Sequence, residues 1–308
     1  MKGLLINLYN KINLYFLRFV NTAFYLFEDK NKVLVLLAYI KQIGPYFKHY
    51  NLGDDLNYYM FSELSGLRVY NHRHLLCRKA ENVMCIGSII DGHTTESSIV
   101  WGSGAMYGGN QKLKYLPKKV LAVRGPLTRD YLLSKGVDCP EVYGDPALLL
   151  PHIYQPKIKK KYKIGIIPHY IDFENDWIKA FVHNNESVRV ISLTNYKDWH
   201  DVIDEINECE TIISSSLHGL IISDAYSIPN VWVRFSNKIA GGEFKYKDYF
   251  ASVGREIEKP IEISEKISYS EIREELKKWR AITYNPEKLI ASCPFELDKS
   301  KLKIIKSN

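Results

Sequence analysis

The stretch Ile212-Ile213-Ser214-Ser215-Ser216-Leu217-His218-Gly219-Leu220 brings several chemistry-capable groups to one junction. An apolar run of strand type passes into three hydroxyl residues. A histidine and a glycine follow, on what reads as the first turn of a helix. In an open parallel sheet, ligands bind just beyond the carboxyl ends of the strands. A helix N-terminus presents free N–H groups and partial positive charge, so an anion is well held there. Histidine at such a place can hold an anion or move a proton near neutral pH. Gly219 would allow a backbone to approach a ligand closely. A plain polar cap followed by a satisfied core histidine would give the same letters.

Six further loops carry reactive side chains, and several also have an ordinary reading. Asn51-Leu52-Gly53-Asp54-Asp55 is a turn opening a helix, whose carboxylates could bind sugar hydroxyls or act as a base; plain capping by Asp54 explains them equally. Gly102-Ser103-Gly104 is a flexible loop after a strand, without the spacing of a phosphate-binding glycine motif. In Arg124-Gly125-Pro126-Leu127-Thr128-Arg129-Asp130 the first arginine ends a strand, where a guanidinium can fork onto carboxylate or phosphate. Gly144-Asp145-Pro146 places an acid before a helix-opening proline, and Pro168-His169 ends a strand. After the histidine junction come Asp224, Ile228-Pro229 and Arg234, and then Lys245-Tyr246-Lys247-Asp248-Tyr249-Phe250, read as a basic-aromatic loop.

The elements that must position these loops alternate between strand and helix signals. Strands are expected over 32–40, 83–86, 98–101 and 120–123, with helices over 54–64 and 127–134. The polar, basic stretch Gln155–Lys161 contains a proline and reads as a linker. Beyond it the alternation repeats: strands over 163–167, 188–192, 211–214 and 230–233, with helices over 176–183, 199–209 and 217–227. Such alternation implies an α/β fold with parallel sheets covered by helices. At 308 residues the chain suits two domains. They are placed at 31–155 and 163–270, preceded by an amphipathic extension over 1–30 and followed by closing helices over 271–308. Two such halves leave a cleft between them, a favoured place for a site.

Composition narrows the partners. A net charge of +7, from 42 basic and 35 acidic residues, fits an anionic substrate or an anionic membrane surface. The excess is dispersed and no nucleic-acid-binding motif accompanies it, so no nucleic-acid partner is expected. Five scattered cysteines without a Cys-x-x-Cys pair point to a reducing compartment, and no structural metal is expected. No signal peptide is visible. Within 3–27, Leu4, Leu5, Leu8, Ile12, Tyr15, Phe16 and Phe19 recur at helical spacing, interrupted by Asn7, Asn10, Lys11, Asn13, Arg18 and Asn21. The run is too broken to span a bilayer. It reads either as an in-plane helix on the inner face of the cytoplasmic membrane, aided by Lys2, Lys11, Arg18, Lys30 and Lys32, or as a helix packed on the protein's own core or on a partner subunit.

Taken in order, Asn-x-Gly-Asp-Asp, Gly-Ser-Gly, Arg-Gly-Pro-x-Thr, Gly-Asp-Pro-Ala-Leu, Pro-His, Ser-Ser-x-Leu-His-Gly-x-x-x-x-Asp-Ala-x-x-Ile-Pro and Lys-x-x-Asp-Tyr-Phe resemble the polysaccharide pyruvyl transferase family over residues 33–255. The resemblance implies two Rossmann-like halves facing a cleft, GT-B-like, with the acceptor on the first half and the donor on the second. It implies transfer of the carboxyethylidene group of phosphoenolpyruvate to a hexose of a capsular or exopolysaccharide repeat unit, as a ketal. Phosphoenolpyruvate is then a co-substrate, and no metal or organic cofactor is needed. A polyprenyl-diphosphate-linked acceptor would place the enzyme in the cytoplasm, peripheral to the membrane.

By the same resemblance, His218 matches the essential histidine and Arg124 an arginine implicated in donor binding. The chemistry of ketal formation itself suggests histidine as acid, with Asp54 or Asp55 as base or sugar ligand. Donor binding falls to Arg124, Ser215, Ser216, Gly219, Arg234, Lys245 and Lys247, and acceptor binding to Asn51, Gly53, Ser103, Gly104, Asp145 and His169. Where the family often has arginine directly before Leu-His-Gly, this chain has Ser216, so Arg234, Lys245 or Lys247 would have to supply that charge. The alternatives are a GT-B glycosyltransferase using a sugar nucleotide, and a carbohydrate-binding subunit of a capsule assembly complex without turnover.

Overall fold

The computed structural model describes residues 2–302, apart from 39, 44, 45, 49, 110, 111, 257, 258, 265, 266 and 299, and without the side chains of 2–11, 41–43 and 46–48. The expectations for Leu4, Leu5, Leu8, Lys2 and Lys11, and for residues 303–308, lie outside what is described.

The chain opens with helix α1 (Lys2–Phe27) and strand β1 (Val33–Leu36). A hairpin of β2 (Lys41–Ile43) and β3 (Tyr46–Lys48) leads to α2 (Leu52–Ser65) and β4 (Arg68–Asn71). Then come β5 (Asn82–Met84), α3 (Ile90–His93), β6 (Ser98–Trp101), β7 (Lys119–Ala122), α4 (Pro126–Ser134) and α5 (Leu150–Ile153). The order β4-β1-β5-β6-β7 makes a five-stranded parallel sheet. The second half runs β8 (Tyr162–Ile167), α6 (Asp176–His183), β9 (Val188–Val190), α7 (Trp199–Asn207), β10 (Cys209–Ser214), α8 (Leu217–Ala225), β11 (Asn230–Arg234), α9 (Phe244–Ser252) and β12 (Ile261–Glu262). Its sheet, β12-β11-β10-β8-β9, is also parallel. Parallel strands covered on both faces need near-continuous apolar runs. Ile164, Ile166 and Ile167, Ile212 and Ile213, and Val231–Val233 supply them, all buried.

Local signals set the helix ends. Asn51, not Asp54, caps α2: its side chain accepts the Gly53 N–H at 3.1 Å, so the helix begins two residues earlier than the acidic pair suggests. Gly66 ends it in the left-handed region, at φ 65°. The segment expected as a basic-aromatic loop is the helix α9. Lys245, Tyr246, Tyr249 and Phe250 recur at i, i+1, i+4 and i+5 and are all buried, the pattern of a covered helix face.

The halves share one core. Leu52 N–H donates to the Leu193 carbonyl at 2.7 Å, and Tyr59 stacks on Trp199 across the seam. The closing segment, α10 (Tyr269–Lys278) and α11 (Glu287–Ala291), starts on the second half and returns to the first. There Trp101 Nε1 donates to the Leu289 carbonyl, Phe295 packs edge-on against Phe61 and Trp101, and Asp298 N–H reaches the Leu64 carbonyl.

Candidate active site

Helix α9 organises the seam because its successive residues reach different partners. Asp248 is buried and accepts from Arg124 Nε (3.0 Å), Thr128 N–H (2.8 Å) and Thr128 Oγ (2.7 Å), all from the first half. Gly125 has no room for a Cβ, which would lie 1.9 Å from the Asp248 carbonyl oxygen. The Tyr246 hydroxyl donates to the Ser215 carbonyl at 2.7 Å, and the Tyr249 hydroxyl to Asp224 at 2.9 Å. Lys245 is one turn from Asp248, so the helix fastened by Asp248 delivers a buried ammonium to the same region.

The histidine junction closes against the Asn51–Asp55 turn. Ser214 Oγ sits in the β10-to-α8 turn, donating to the Ile167 and Ser216 carbonyls and accepting the Ser216 N–H. Ser215 Oγ accepts the His169 N–H at 2.9 Å, which ties the end of β8 to this turn. His218 then lies flat against Gly53: a Cβ built there would be 2.0 Å from Nδ1. Its Nε2 is buried and has no hydrogen-bond partner among the described residues, although an edge of the residue reaches solvent. Asp54 is next to Gly53 and beside Gly87, whose φ of 123° requires glycine. Asn57 supports this turn by bonding Asp54 O, Ile86 O and Ile86 N–H. Asn51, His169 and Ser216 line a common crevice with Ser192 and Thr194.

The groups perturb one another. Burial, and then the cations Arg124 and Lys245, lower His218 to about 3, so its ring is neutral at pH 7. Burial and Lys245 lower His169 to about 4. Lys245 falls to about 8 through burial and Arg124, partly offset by Asp54. Asp54 moves the other way: burial and the neighbouring Asp55 raise it to about 7, against Arg73 and Lys245. The seam therefore holds a carboxyl that shares its proton near pH 7, a neutral imidazole and an easily deprotonated ammonium. This combination suits general acid–base work on an anionic substrate.

The model of the family described as polysaccharide pyruvyl transferase matches residues 35–237, about two thirds of the chain. The chain belongs to the polysaccharide pyruvyl transferase family. The match spans β1 to just past β11, and so includes the Gly53 turn, Arg124 and His218. The chain is similar to the succinoglycan biosynthesis protein ExoV of Rhizobium meliloti (strain 1021), 28% identical over 225 residues, which cover 68% of this chain and 65% of that one. It is also similar to an uncharacterized protein, L143, of Acanthamoeba polyphaga mimivirus, 27% identical over 224 residues, covering 70% and 75% of the two chains. As a member of this family the protein is an enzyme, a polysaccharide pyruvyltransferase.

In this pyruvyl transferase the residues singled out from sequence fall into two groups. Asn51, Gly53, Asp54, His169, Ser216, His218 and Lys245 are brought together at the seam. Ser215 lies at the same turn, and the remaining residues make other contacts. Asp55 is fully buried, accepting from Tyr50 N–H and from the Tyr196 hydroxyl of the second half, so it latches the halves together. Ser103 turns inward to the Gly87 carbonyl, and Gly104 is glycine because the Arg124 guanidinium lies over it. Asp145 caps the Pro146–Leu149 turn through the Ala147 N–H, and its burial raises it to about 6. Gly219 does not open backbone to a ligand: a Cβ there would meet Ser214 and Ile167, so it is small to let α8 pack on β8 and β10. Arg234 is paired with Glu243 and Glu262 beside a separate cavity of about 260 Å³, and Lys247 also pairs with Glu243. Of the three cations considered for the Ser216 position, Lys245 is the one whose charge bears on His218.

Arg124 meets a fork already occupied. Nε and Nη2 face Asp248, Nη2 also donates to the Ala105 carbonyl, and Nη1 donates to Ser88. Sequence reasoning overlooked Asp248, Thr128 and Asn57 as site residues. The i, i+3 spacing of Lys245 and Asp248 was the available signal.

Proposed function

We propose that the enzyme transfers the carboxyethylidene group of phosphoenolpyruvate to two hydroxyls of a hexose in an exopolysaccharide or capsular repeat unit, releasing inorganic phosphate. The observation that carries this reading is the contact of His218 with the Gly53–Asp54 turn across the seam, beside Lys245. Phosphoenolpyruvate brings a phosphate and a carboxylate. Lys245, the charge of Arg124 and the N–H groups opening α8 at Ser216 are complementary to them.

The electrostatics reverse the roles expected for acid and base. Asp54, raised to about 7, keeps a proton to give to the methylene carbon of the donor. C2 then gains oxocarbenium character and is attacked by a sugar hydroxyl. The neutral His218 ring accepts the hydroxyl proton as the C–O bond forms. Loss of phosphate takes up that proton equivalent, and the second hydroxyl closes the ketal while its own proton returns Asp54 to the acid form. Overall one donor and one diol give one ketal and one phosphate. Asn51 and His169 line the crevice, and in this reading they hold the acceptor. The reading uses no metal or organic cofactor, so activity should withstand a chelator.

The acceptor in this reading is carried on a polyprenyl diphosphate at the cytoplasmic membrane face. The test is phosphate release from phosphoenolpyruvate in the presence of glycan acceptors, with mass spectrometry of the glycan. Phosphate release with gain of one carboxyethylidene group supports it. Consumption of a sugar nucleotide with no turnover of phosphoenolpyruvate would establish the glycosyltransferase instead, and release from neither donor a binding module.

A further inference from the structure

Helix α1 is mounted with its amphipathic faces reversed. The side facing the body is its polar side: Arg18 Nε donates to the Arg73 carbonyl at 3.0 Å, Asn21 is buried, and Thr22 Oγ accepts the Leu76 N–H at 2.8 Å. Tyr25, on the same side, packs edge-on against Tyr70. The opposite side is apolar and faces outward. Ile12, Tyr15, Phe16, Phe19 and Leu26 lie on one arc of the helix at spacings of three, one, three and seven residues, and each is between 58% and 68% exposed. An apolar stripe normally turns to the core, since burying it is what holds a surface helix in place. Here side-chain and backbone hydrogen bonds hold the helix and leave the stripe outward, which is unfavourable in water unless something apolar covers it.

We propose that this stripe inserts into the headgroup boundary of an anionic lipid membrane, with α1 lying in the membrane plane. Charge favours that occupant. The 26 residues of α1 contain Lys2, Lys11 and Arg18 and no acid. Each basic residue near an anionic leaflet strengthens attraction by about fivefold. The stripe is wide and aromatic, as in helices seated at a membrane interface; a helix pair needs a narrower seam of aliphatic knobs. No helix among the described residues is long and apolar enough to cross a membrane. Contact in the plane would hold the enzyme at the surface on which the lipid-linked glycan of the proposed function is presented. The inference stands on α1 alone and does not depend on the chemistry proposed for His218.

The test uses the full chain and sedimentable vesicles of phosphatidylcholine with one-third phosphatidylglycerol, compared with phosphatidylcholine alone. The parent should bind the anionic vesicles preferentially, and less as salt rises from about 0.1 M to about 0.5 M. Phe16→Glu with Phe19→Glu should weaken binding at least tenfold. Both positions are exposed, so melting temperature and phosphate release with a soluble acceptor should stay at parent values. Failure of the parent to bind, or equal binding by the double variant, overturns the proposal. So does a parent dimer that ignores vesicles and becomes monomeric in the double variant, which would assign the stripe to a second copy. Phosphate release is read separately, so failed vesicle binding leaves the catalytic reading intact, and the reverse also holds.

Discussion

Gly53→Ala is the sharpest probe of the seam, because it adds one methyl at the point where the halves meet over the reactive ring. That methyl would lie 2.0 Å from His218 Nδ1, 2.5 Å from Cγ and 2.7 Å from Cε1. Ordinary contact begins near 3.4 Å, so the ring must retreat by roughly 1.4 Å or the halves must part. The ring has little freedom: the Ser214 and Ser215 hydrogen bonds hold the turn before it, and Gly219 is packed against Ile167 behind it. A displacement of about 1 Å at a reacting group costs on the order of 100-fold in rate. We therefore expect kcat/KM for phosphoenolpyruvate-dependent phosphate release to fall by about two decades. The first turn of a helix accepts alanine readily, so α2 itself should be unharmed. Melting temperature distinguishes the two reliefs: a ring that moves leaves it near the parent value, whereas halves that part lower it. Gly92→Ala, in α3 with open space around its Cα, is the matched control and should be neutral. Parent-like kcat/KM in Gly53→Ala would refute the assignment of this contact to catalysis.

Four further outcomes follow from the same site. His218→Ala should lose at least two decades of turnover with a small change in melting temperature, since among the described residues its Nε2 has no hydrogen-bond partner to strand; near-parent turnover would exclude a proton-transfer role. Arg124→Lys cannot reproduce the fork on Asp248, and it should lower stability by about 3 kcal/mol while raising the KM of both substrates; an effect confined to the phosphoenolpyruvate KM would show the guanidinium on the donor instead. Asp54→Asn should abolish turnover yet gain stability relative to the parent as pH rises from 5 to 8. The native carboxyl keeps its proton up to about 7 while the unfolded one loses it near 3.8, so Asp54 draws stability down across that window and asparagine does not; a stability gap independent of pH would contradict the raised carboxyl. Lys245→Met removes a cation that lowers Asp54, so the alkaline limb of kcat/KM, set near pH 7 in the parent, should move to higher pH along with a raised KM for phosphoenolpyruvate; an unmoved limb would assign it to another group.

The sheets were legible because parallel strands buried on both faces write themselves as apolar runs, as at Ile212–Ile213 and Val231–Val233. The loops after them were legible as the places for chemistry, and Asn51, Gly53, Asp54 and His218 do meet there. What sequence could not supply was which side chain is already engaged. Arg124 at a strand end looks the same whether its fork is free or closed on Asp248, and that pairing joins residues 124 positions apart. Helix α9 was read as a loop because two of its buried positions, Lys245 and Asp248, are charged and mask the helical period. Gly219 looked like an opening for a ligand, whereas the space it vacates is filled by Ser214 and Ile167. The α1 stripe was legible as a stripe, but its outward orientation depends on hydrogen bonds to Arg73 and Leu76 that no local pattern encodes.

The site's chemistry belongs to the seam rather than to either half. Asp54 alone on the first half would be an ordinary first-turn carboxylate, and Lys245 alone on α9 an ordinary ammonium. Their values approach one another, about 7 and about 8, because each is desolvated where the two halves close. His218 and His169 are kept neutral by burial and by the charge of Lys245, with Arg124 adding to it at His218. In the proposed reaction an anionic donor would offset the positive charge around His218, favour the charged form of Lys245 and raise His218 toward its ordinary value, so that the ring can take the sugar proton before phosphate leaves with it. Asp248, one helical turn from Lys245 on α9, is held by Arg124 and Thr128 of the first half, so the helix that fastens the halves is also the one that carries Lys245 to the site.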